Sequence, residues 1–304
     1  MKKSIKDKLN SYIKKSHWYN EVLFKNCQQF WNLTNQNIDV VNLGSSSGTF
    51  AFDYSSVGLR GENWAIAPQT IVGDFLILKQ FRHYLKEDAT VLYPICPFTA
   101  ISGAVDYIED RCYSFLDYET IPNGHYIRNV RVLEQMNDPL LFYPAVEVLR
   151  DIKFHLFKKS EKLMSESKLE KNAENWIRSW TEQFHIDDLN NHFIADHSEV
   201  YHRTMALLNE MIDYCHEEHL NLVIVVPPVH HSLGKKFTLS AKGQLLDSLK
   251  NDANLQKVKF LNYMDESSFA HDASLFQNSY FLNKKRSLQI YSVSIDNAKI
   301  IIIS

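Results

Sequence analysis

The chain has 304 residues, of which 45% are hydrophobic, 12% aromatic and 23% charged, and its formal net charge at pH 7 is −3. This composition is typical of a globular protein that is long enough to bury a substantial core. It excludes the strongly basic surface that nucleic-acid binding requires, so no nucleic-acid partner is expected.

The first predicted element is an N-terminal helical segment, residues 1–36. Its first 24 residues interleave lysines with aromatic residues and lack the apolar core of a signal peptide. A helix lying on a membrane surface and a solvated helix packed on the protein both stay open, and the second is favoured. No stretch reaches the ~20 apolar residues of a transmembrane segment.

Five short apolar runs, rich in Val and Ile, predict buried strands. The runs are residues 38–43, 89–95, 220–227, 258–263 and 298–304. Continuous apolar runs without alternation favour a parallel sheet that is covered on both faces. Helical spacing in residues 71–85, 199–219 and 239–251 separates several of these strands, which predicts an α/β layered fold.

Residues 125–195 interrupt this alternation, because they hold two helical stretches, 138–159 and the highly charged 160–183. We interpret them as a helical insertion, which serves either as a lid or interaction surface or as an exposed helical pair without a function. The chain is therefore predicted to be one α/β domain over 1–304 that carries this insertion.

The cysteines are spread along the chain without a C-x-x-C pair, at Cys27, Cys96, Cys112 and Cys215. This spacing gives little support to a zinc or redox site. Buried, reduced thiols suit a cytoplasmic protein.

The stretch "NLGSSSG" places Ser45, Ser46 and Ser47 directly after the first predicted strand. In an open α/β sheet, ligands bind beyond the carboxyl ends of the strands. Gly44 permits a tight turn, so a serine here is well placed to attack a carbonyl, provided that a base and oxyanion donors are near. A simple turn with a helix cap is the alternative.

Three stretches together resemble the SGNH/GDSL hydrolase superfamily, and in particular its bacterial polysaccharide-associated members. They are "NLGSSSGTFAFDY", "ENWAIAPQTIVGDFLILKQF" (62–81) and "FQNSYFLNKKRS" (276–287). The resemblance implies a three-layer α/β sandwich with a mainly parallel, flavodoxin-like sheet. It also implies an esterase or acyltransferase that acts on acyl groups of a carbohydrate.

The resemblance further implies roles for individual residues. Ser46 corresponds to the nucleophile and Ser45 to the aspartate that shapes the turn, with Ser47 beside them. Asn63 begins the second block, in which Pro68 lacks the amide of the usual glycine and Gln69 offers a side-chain amide instead. The third block, expected in "LYPICPFTA", contains no asparagine.

The last block departs from the superfamily pattern D-x-x-H-L-N. Aligned on Leu282 and Asn283, the aspartate position holds Asn278 and the histidine position holds Phe281. Phenylalanine cannot accept a proton, and a general base contributes on the order of 10²–10⁴-fold to such a reaction. The fold is therefore expected to persist without the usual dyad.

A substitute base is sought among the histidines near predicted strand ends. His230 and His231 follow the third strand, while Asp265 ends the fourth and precedes His271 by six residues. A polar loop without catalytic function is the alternative for each group. We expect the adjacent His230 and His231 side chains to diverge, which argues against a metal site, and no nucleotide-binding motif predicts a cofactor.

Two functional hypotheses follow. The first is an SGNH-like serine esterase or O-acyltransferase with Ser46 as nucleophile and a base from His230, His231 or His271, the last beside Asp265. Ser45, Ser47, Asn63, Gln69, Asn278 and Asn283 would contact the substrate. The second is a non-catalytic SGNH-like pseudoenzyme that binds a glycan or a protein partner in surface-polysaccharide biosynthesis.

Overall fold

The computed structural model describes residues 4–54, 58–102, 108–156, 163–189, 193–253, 258–283, 293–295 and 298–300. Its contacts divide the chain into two compact units. The helical unit comprises Met1–Thr34 and Ile108–Lys162, and the sheet unit comprises Asn35–Tyr107 and Leu163–Ser304.

The strands are β1 (Ile38–Asn42), β2 (Gly61–Asn63), β3 (Leu85–Pro94), β4 (Asn221–Val226), β5 (Lys259–Asn262), β6 (Val293–Ile295) and β7 (Ala298–Ile300). The α-helices are α1 (Ile5–Ile13), α2 (Gln28–Trp31), α3 (Ser46–Ala51), α4 (Ile71–Phe81), α5 (Tyr126–Asn137), α6 (Ala145–Leu156), α7 (Glu166–Gln183), α8 (Phe193–Asp196), α9 (Ser198–Glu217), α10 (His231–Gly234), α11 (Leu239–Lys242), α12 (Ser248–Asp252) and α13 (Ser267–Ala270). A π-helical segment, Gly243–Asp247, joins α11 to α12.

The central feature is a five-stranded parallel sheet in the order β2-β1-β3-β4-β5. This confirms the predicted α/β fold with a parallel sheet, and it is the flavodoxin-like strand order. The chain leaves β1 toward β2 on one side and returns to β3 on the other. The order therefore reverses between β1 and β3, and a crevice forms at the carboxyl ends of these two strands.

One predicted strand is wrong in its placement. Ala298–Ile300 pairs antiparallel with Val293–Ile295 in a separate two-stranded sheet, and residues 301–304 lie outside the described residues. The remaining strand of the parallel sheet is Gly61–Asn63, and the sequence did not predict it because none of its three residues is hydrophobic. Main-chain bonds hold this strand, among them Trp64 N–H to Asn42 O at 2.8 Å.

The two faces of the sheet follow from strand alternation. Val40, Leu92, Val223 and Val225 share a buried cluster with the end of α3 and with the segment around Phe276. Residues one position along each strand point to the opposite face. There α4 and α9 pack against each other, with the rings of Phe75 and Tyr214 5.5 Å apart.

The described part of the predicted insertion is mainly helical, with α5 and α6 in the helical unit and α7 in the sheet unit. All four cysteines are free thiols; Cys27, Cys112 and Cys215 are buried, whereas Cys96 is half-buried. Burial raises the pKa of the Cys27 and Cys215 thiols to about 12, so both stay protonated at neutral pH.

Candidate functional site

The turn after β1 is held by a glycine and a buried carboxylate. Gly44 has a φ of +103°, which L side chains rarely adopt, and a Cβ there would lie 2.9 Å from Pro94 Cγ. The Gly44 amide donates a hydrogen bond to Asp74 Oδ1 on α4 at 2.9 Å. This anchoring directs the three serines that follow toward the carboxyl edge of the sheet.

A cavity of about 280 Å³ opens at this edge, and Ser45, Ser46 and Ser47 line one side of it. Tyr93 and Pro94 from the end of β3 line it as well. The cavity therefore lies at the point where the strand order reverses, the position at which open α/β sheets bind ligands.

The serine side chains have different surroundings. Ser45 Oγ accepts a hydrogen bond from the backbone N–H of Gln69 at 3.1 Å. Ser47 lies beside the Tyr280 hydroxyl, whose pKa is raised well above its usual value by burial and, secondarily, by Cys96. Ser46 borders the cavity between them. Within the described part of the chain, no hydrogen bond connects Ser46 to a histidine.

Aromatic side chains form the opposite wall. Trp176 and Trp180, one turn apart on α7, have ring centroids 5.1 Å apart. The Trp176 ring meets Phe281 edge-on at 5.6 Å, and the Trp180 ring meets Tyr280 at 5.0 Å. The Asn278 side chain fixes this wall, since its Oδ1 accepts the amide hydrogens of Tyr280 and Phe281 at 2.9 and 2.8 Å.

Phe281, which the sequence resemblance aligns with a histidine, therefore occupies the space beside the serines. Its ring lies 5.3 Å from Phe50, two residues after Gly48 in α3, and it lines the cavity together with Ser46 and Ser47. An apolar ring at this place can pack against a ligand but cannot take a proton from a serine.

Asp74 is the carboxyl group among the described residues that line this cavity. Burial raises its pKa to about 7, although the hydrogen bond from Gly44 lowers it in part. The pKa of Tyr93 is raised well above its usual value, mainly by burial and further by the nearby Asp74 carboxylate. Asp74 can therefore gain or lose a proton near neutral pH, whereas Tyr93 stays protonated.

The predicted bases lie together in a different place. His230 is buried, and its Nδ1 lies 2.8 Å from Ser232 Oγ, while its Nε2 lies 3.5 Å from a Glu166 oxygen. The His231 ring lies 4.3 Å from that of His230 and stacks on His271 at 4.6 Å. The expectation that the adjacent histidine side chains diverge is therefore wrong.

The pKa of His230 is lowered, first by burial and then by the neighbouring His231, although Glu166 raises it in part. None of the three predicted bases is among the described residues that line the serine cavity. Asp265, expected to orient His271, forms an ion pair with Lys242 at 2.8 Å. The structure thus places His230 and His231 beside Glu166, with His271 stacked on His231, rather than beside Ser46.

The predicted substrate-binding residues have separate fates. Gln69 lines the cavity. Asn63 is engaged in the scaffold, since its Nδ2 donates to Gly48 O at 3.1 Å and its Oδ1 accepts from Asn42 Nδ2 at 3.0 Å. The backbone N–H of Asn283 donates a hydrogen bond to Leu275 O at 2.7 Å, which closes the loop that carries Phe281.

Sequence reasoning missed Asp74, Trp176, Trp180 and Glu166. Asp74 was visible as the one acidic residue in an otherwise apolar first half of α4. The two tryptophans share one helix face at a spacing of four, a signal that was present in "WIRSW". Glu166 could not be found, because its neighbours come from a strand end more than 60 residues away.

No family model matches this sequence, and no curated protein matches it either. Among the helices of the described residues, none has the length and apolar character needed to cross a membrane.

Proposed function

We propose that this chain is a non-catalytic, SGNH-like protein that binds a carbohydrate in the serine cavity. The observation that carries the proposal is that, among the described residues, aromatic side chains and not histidines lie beside the serines. Phe281 and the tryptophans of α7 lie beside the serines, while His230 and His231 face Glu166 and His271 stacks on His231. A serine hydroxyl without a base is a poor nucleophile, so binding is better supported than acyl transfer.

The lining of the cavity supports a sugar as the ligand. Trp176 and Phe281 present ring surfaces on which the C–H face of a sugar ring can pack. Ser46, Gln69 and Thr70 offer hydroxyl and amide groups for sugar hydroxyls. Aromatic walls together with polar groups that can orient a ligand are the usual composition of a small-molecule site. The surface-polysaccharide context comes from the resemblance alone.

The proposal is tested by screening the protein on an array of bacterial oligosaccharides, with and without O-acyl groups. Trp176→Ala removes the central ring, and Trp31→Ala removes a half-buried tryptophan of the helical unit as the matched control. We expect the first variant to bind at least about tenfold more weakly, because loss of an aromatic anchor typically costs about 2 kcal/mol or more. Equal binding by both variants would place the ligand elsewhere.

The esterase or acyltransferase hypothesis is the second candidate, and one observation favours it. Asp74 lines the same cavity as Ser46, and its pKa of about 7 suits a group that exchanges protons at neutral pH. A fluorophosphonate probe decides between the candidates. Labelling that disappears in Ser46→Ala would establish an activated serine, and single variants of Asp74, His230, His231 and His271 would then identify its base. We expect no labelling of Ser46.

The cytoplasmic location and the membrane-surface contact of the N-terminal segment stay predictions. The observation that bears on the second is that Ile5, Leu9 and Tyr12 are exposed at helical spacing along α1.

A further inference from the structure

Glu166, His230 and His231 form a cluster of metal-binding type in the sheet unit. Each offers one ligand atom, and these atoms all lie within 4.8 Å of one another. Glu166 is the first residue of α7, and the two histidines follow β4 through Pro227 and Pro228. The cluster therefore joins a helix end to a strand end and is separate from the serine cavity.

Two ring nitrogens of this cluster are buried without a hydrogen-bond partner among the described residues. They are Nε2 of His230 and Nδ1 of His231. Nε2 of His230 lies 3.5 Å from Glu166 Oε2, which is longer than a usual N–H···O hydrogen bond, and the His230 side chain is 0% exposed. Buried polar atoms are nearly always satisfied, so two such atoms side by side point to a missing partner.

The other nitrogen of His230, Nδ1, contacts Ser232 twice. It accepts a hydrogen bond from the Ser232 backbone N–H at 3.3 Å, and it lies 2.8 Å from Ser232 Oγ. Metal binding through Nε2 requires the tautomer in which Nδ1 instead donates its hydrogen to Ser232 Oγ, which leaves the lone pair of Nε2 for the metal. Histidines that bind metals usually donate their second N–H to an oxygen in the same manner.

The charges along α7 distinguish Glu166 from its neighbours on the same face. Glu170 pairs with Lys235 at 2.9 Å, and Glu174 lies 3.5 Å from Lys236. Glu166, one turn earlier, faces two imidazole rings instead of a lysine. Two neutral imidazoles and one carboxylate match the ligands that zinc and similar metals prefer.

We propose that Glu166, His230 and His231 bind one divalent transition-metal ion, such as Zn²⁺, through a carboxylate oxygen and one nitrogen of each ring. Ligands about 2.0–2.1 Å from a tetrahedral zinc lie roughly 3.4 Å apart. The ligand atoms here lie within 4.8 Å of one another, so some of them must move closer on binding, and the Glu166 side chain, which is 61% exposed, has room to move. Three protein ligands leave a fourth position for water or a bound group.

The experiment measures Zn²⁺ and Co²⁺ binding to the full chain after tag removal and dialysis against a chelator. Affinity for Zn²⁺ is obtained by competition with a chromophoric chelator. Glu166→Ala is compared with Glu174→Ala, which removes a carboxylate of the same helix with the same 61% side-chain exposure. His231→Gln provides a second ligand variant, and circular dichroism verifies that each variant is folded.

We expect the wild type to bind one Zn²⁺ per chain, Glu166→Ala and His231→Gln to bind at least about tenfold more weakly, and Glu174→Ala to bind as the wild type does. Co²⁺ should give the visible absorption of a four-coordinate ion with nitrogen and oxygen ligands. Equal affinity in the two glutamate variants would overturn the proposal. So would a thiolate-to-cobalt absorption band, because it would assign the metal to a cysteine.

Discussion

The carboxyl group of Asp74 should make the stability of this protein fall as pH rises. Its side chain is 2% exposed, and burial raises its pKa from 3.8 to about 7. Between these two values the folded chain keeps a proton that the unfolded chain has lost. Stability therefore declines from about pH 4 to about pH 7, and the whole cost of the buried charge is present above that range.

The size of this effect follows from the two pKa values. The difference between 3.8 and about 7 corresponds to roughly 4 kcal/mol in the free energy of unfolding, of which about 3 kcal/mol falls between pH 4.5 and pH 8. Asp74→Asn keeps an oxygen for the Gly44 amide but carries no charge at any pH. Any fixed cost of the new amide group is the same at both pH values.

The assay is urea unfolding of the wild type and Asp74→Asn at pH 4.5, 6 and 8, followed by tryptophan fluorescence. We expect the variant to gain about 3 kcal/mol relative to the wild type between the lowest and highest pH. Asp187→Asn, at an exposed carboxylate, serves as the control and should show no such gain. A difference between wild type and Asp74→Asn that is constant with pH would refute the reasoning.

Two further predictions concern the scaffold of the site and are measured by the same unfolding assay at one pH. Gly44→Ala should lower the free energy of unfolding more than Gly58→Ala does. Both glycines have positive φ, but a Cβ at Gly44 would lie against Pro94, whereas a Cβ at Gly58 would face open space. A backbone penalty of about 1–2 kcal/mol is common to both, so equal losses would show that Pro94 moves aside freely. Phe276→Ala should cost about 3–5 kcal/mol, because this ring is 0% exposed in the cluster beneath the sheet. A loss under about 1 kcal/mol would contradict that packing.

Much of the fold was predictable because burial leaves a periodic signal in the sequence. The apolar, buried runs of β1, β3 and β4 and the apolar face of α9 are recognisable in this way, whereas β5 is apolar only in part and half-buried. β2 carries no such signal, since its three residues are Gly, Glu and Asn and hydrogen bonds rather than apolar packing hold it in the sheet. For the Ile-rich run near the C-terminus, a strand was predicted correctly but assigned to the wrong sheet, because hydrophobicity predicts a strand but not the strand with which it pairs.

The site was predictable only in part, for a related reason. The serine turn is a local feature, so residues 42–48 were enough to place Ser45, Ser46 and Ser47 at the edge of the sheet. The position of His230 depends instead on Glu166, which is distant in sequence. No local sequence pattern predicts which way the His230 ring will face at the end of β4.

The order of the strands also bears on self-association. The outer strands of the described parallel sheet are β2 and β5, with three and four residues. Each therefore offers only a few unpaired main-chain groups to which another chain could add a strand. Short outer strands are one way in which proteins prevent edge-to-edge aggregation. The longer strands β3 and β4, whose edges would pair most readily with another chain, each lie between two other strands of the sheet.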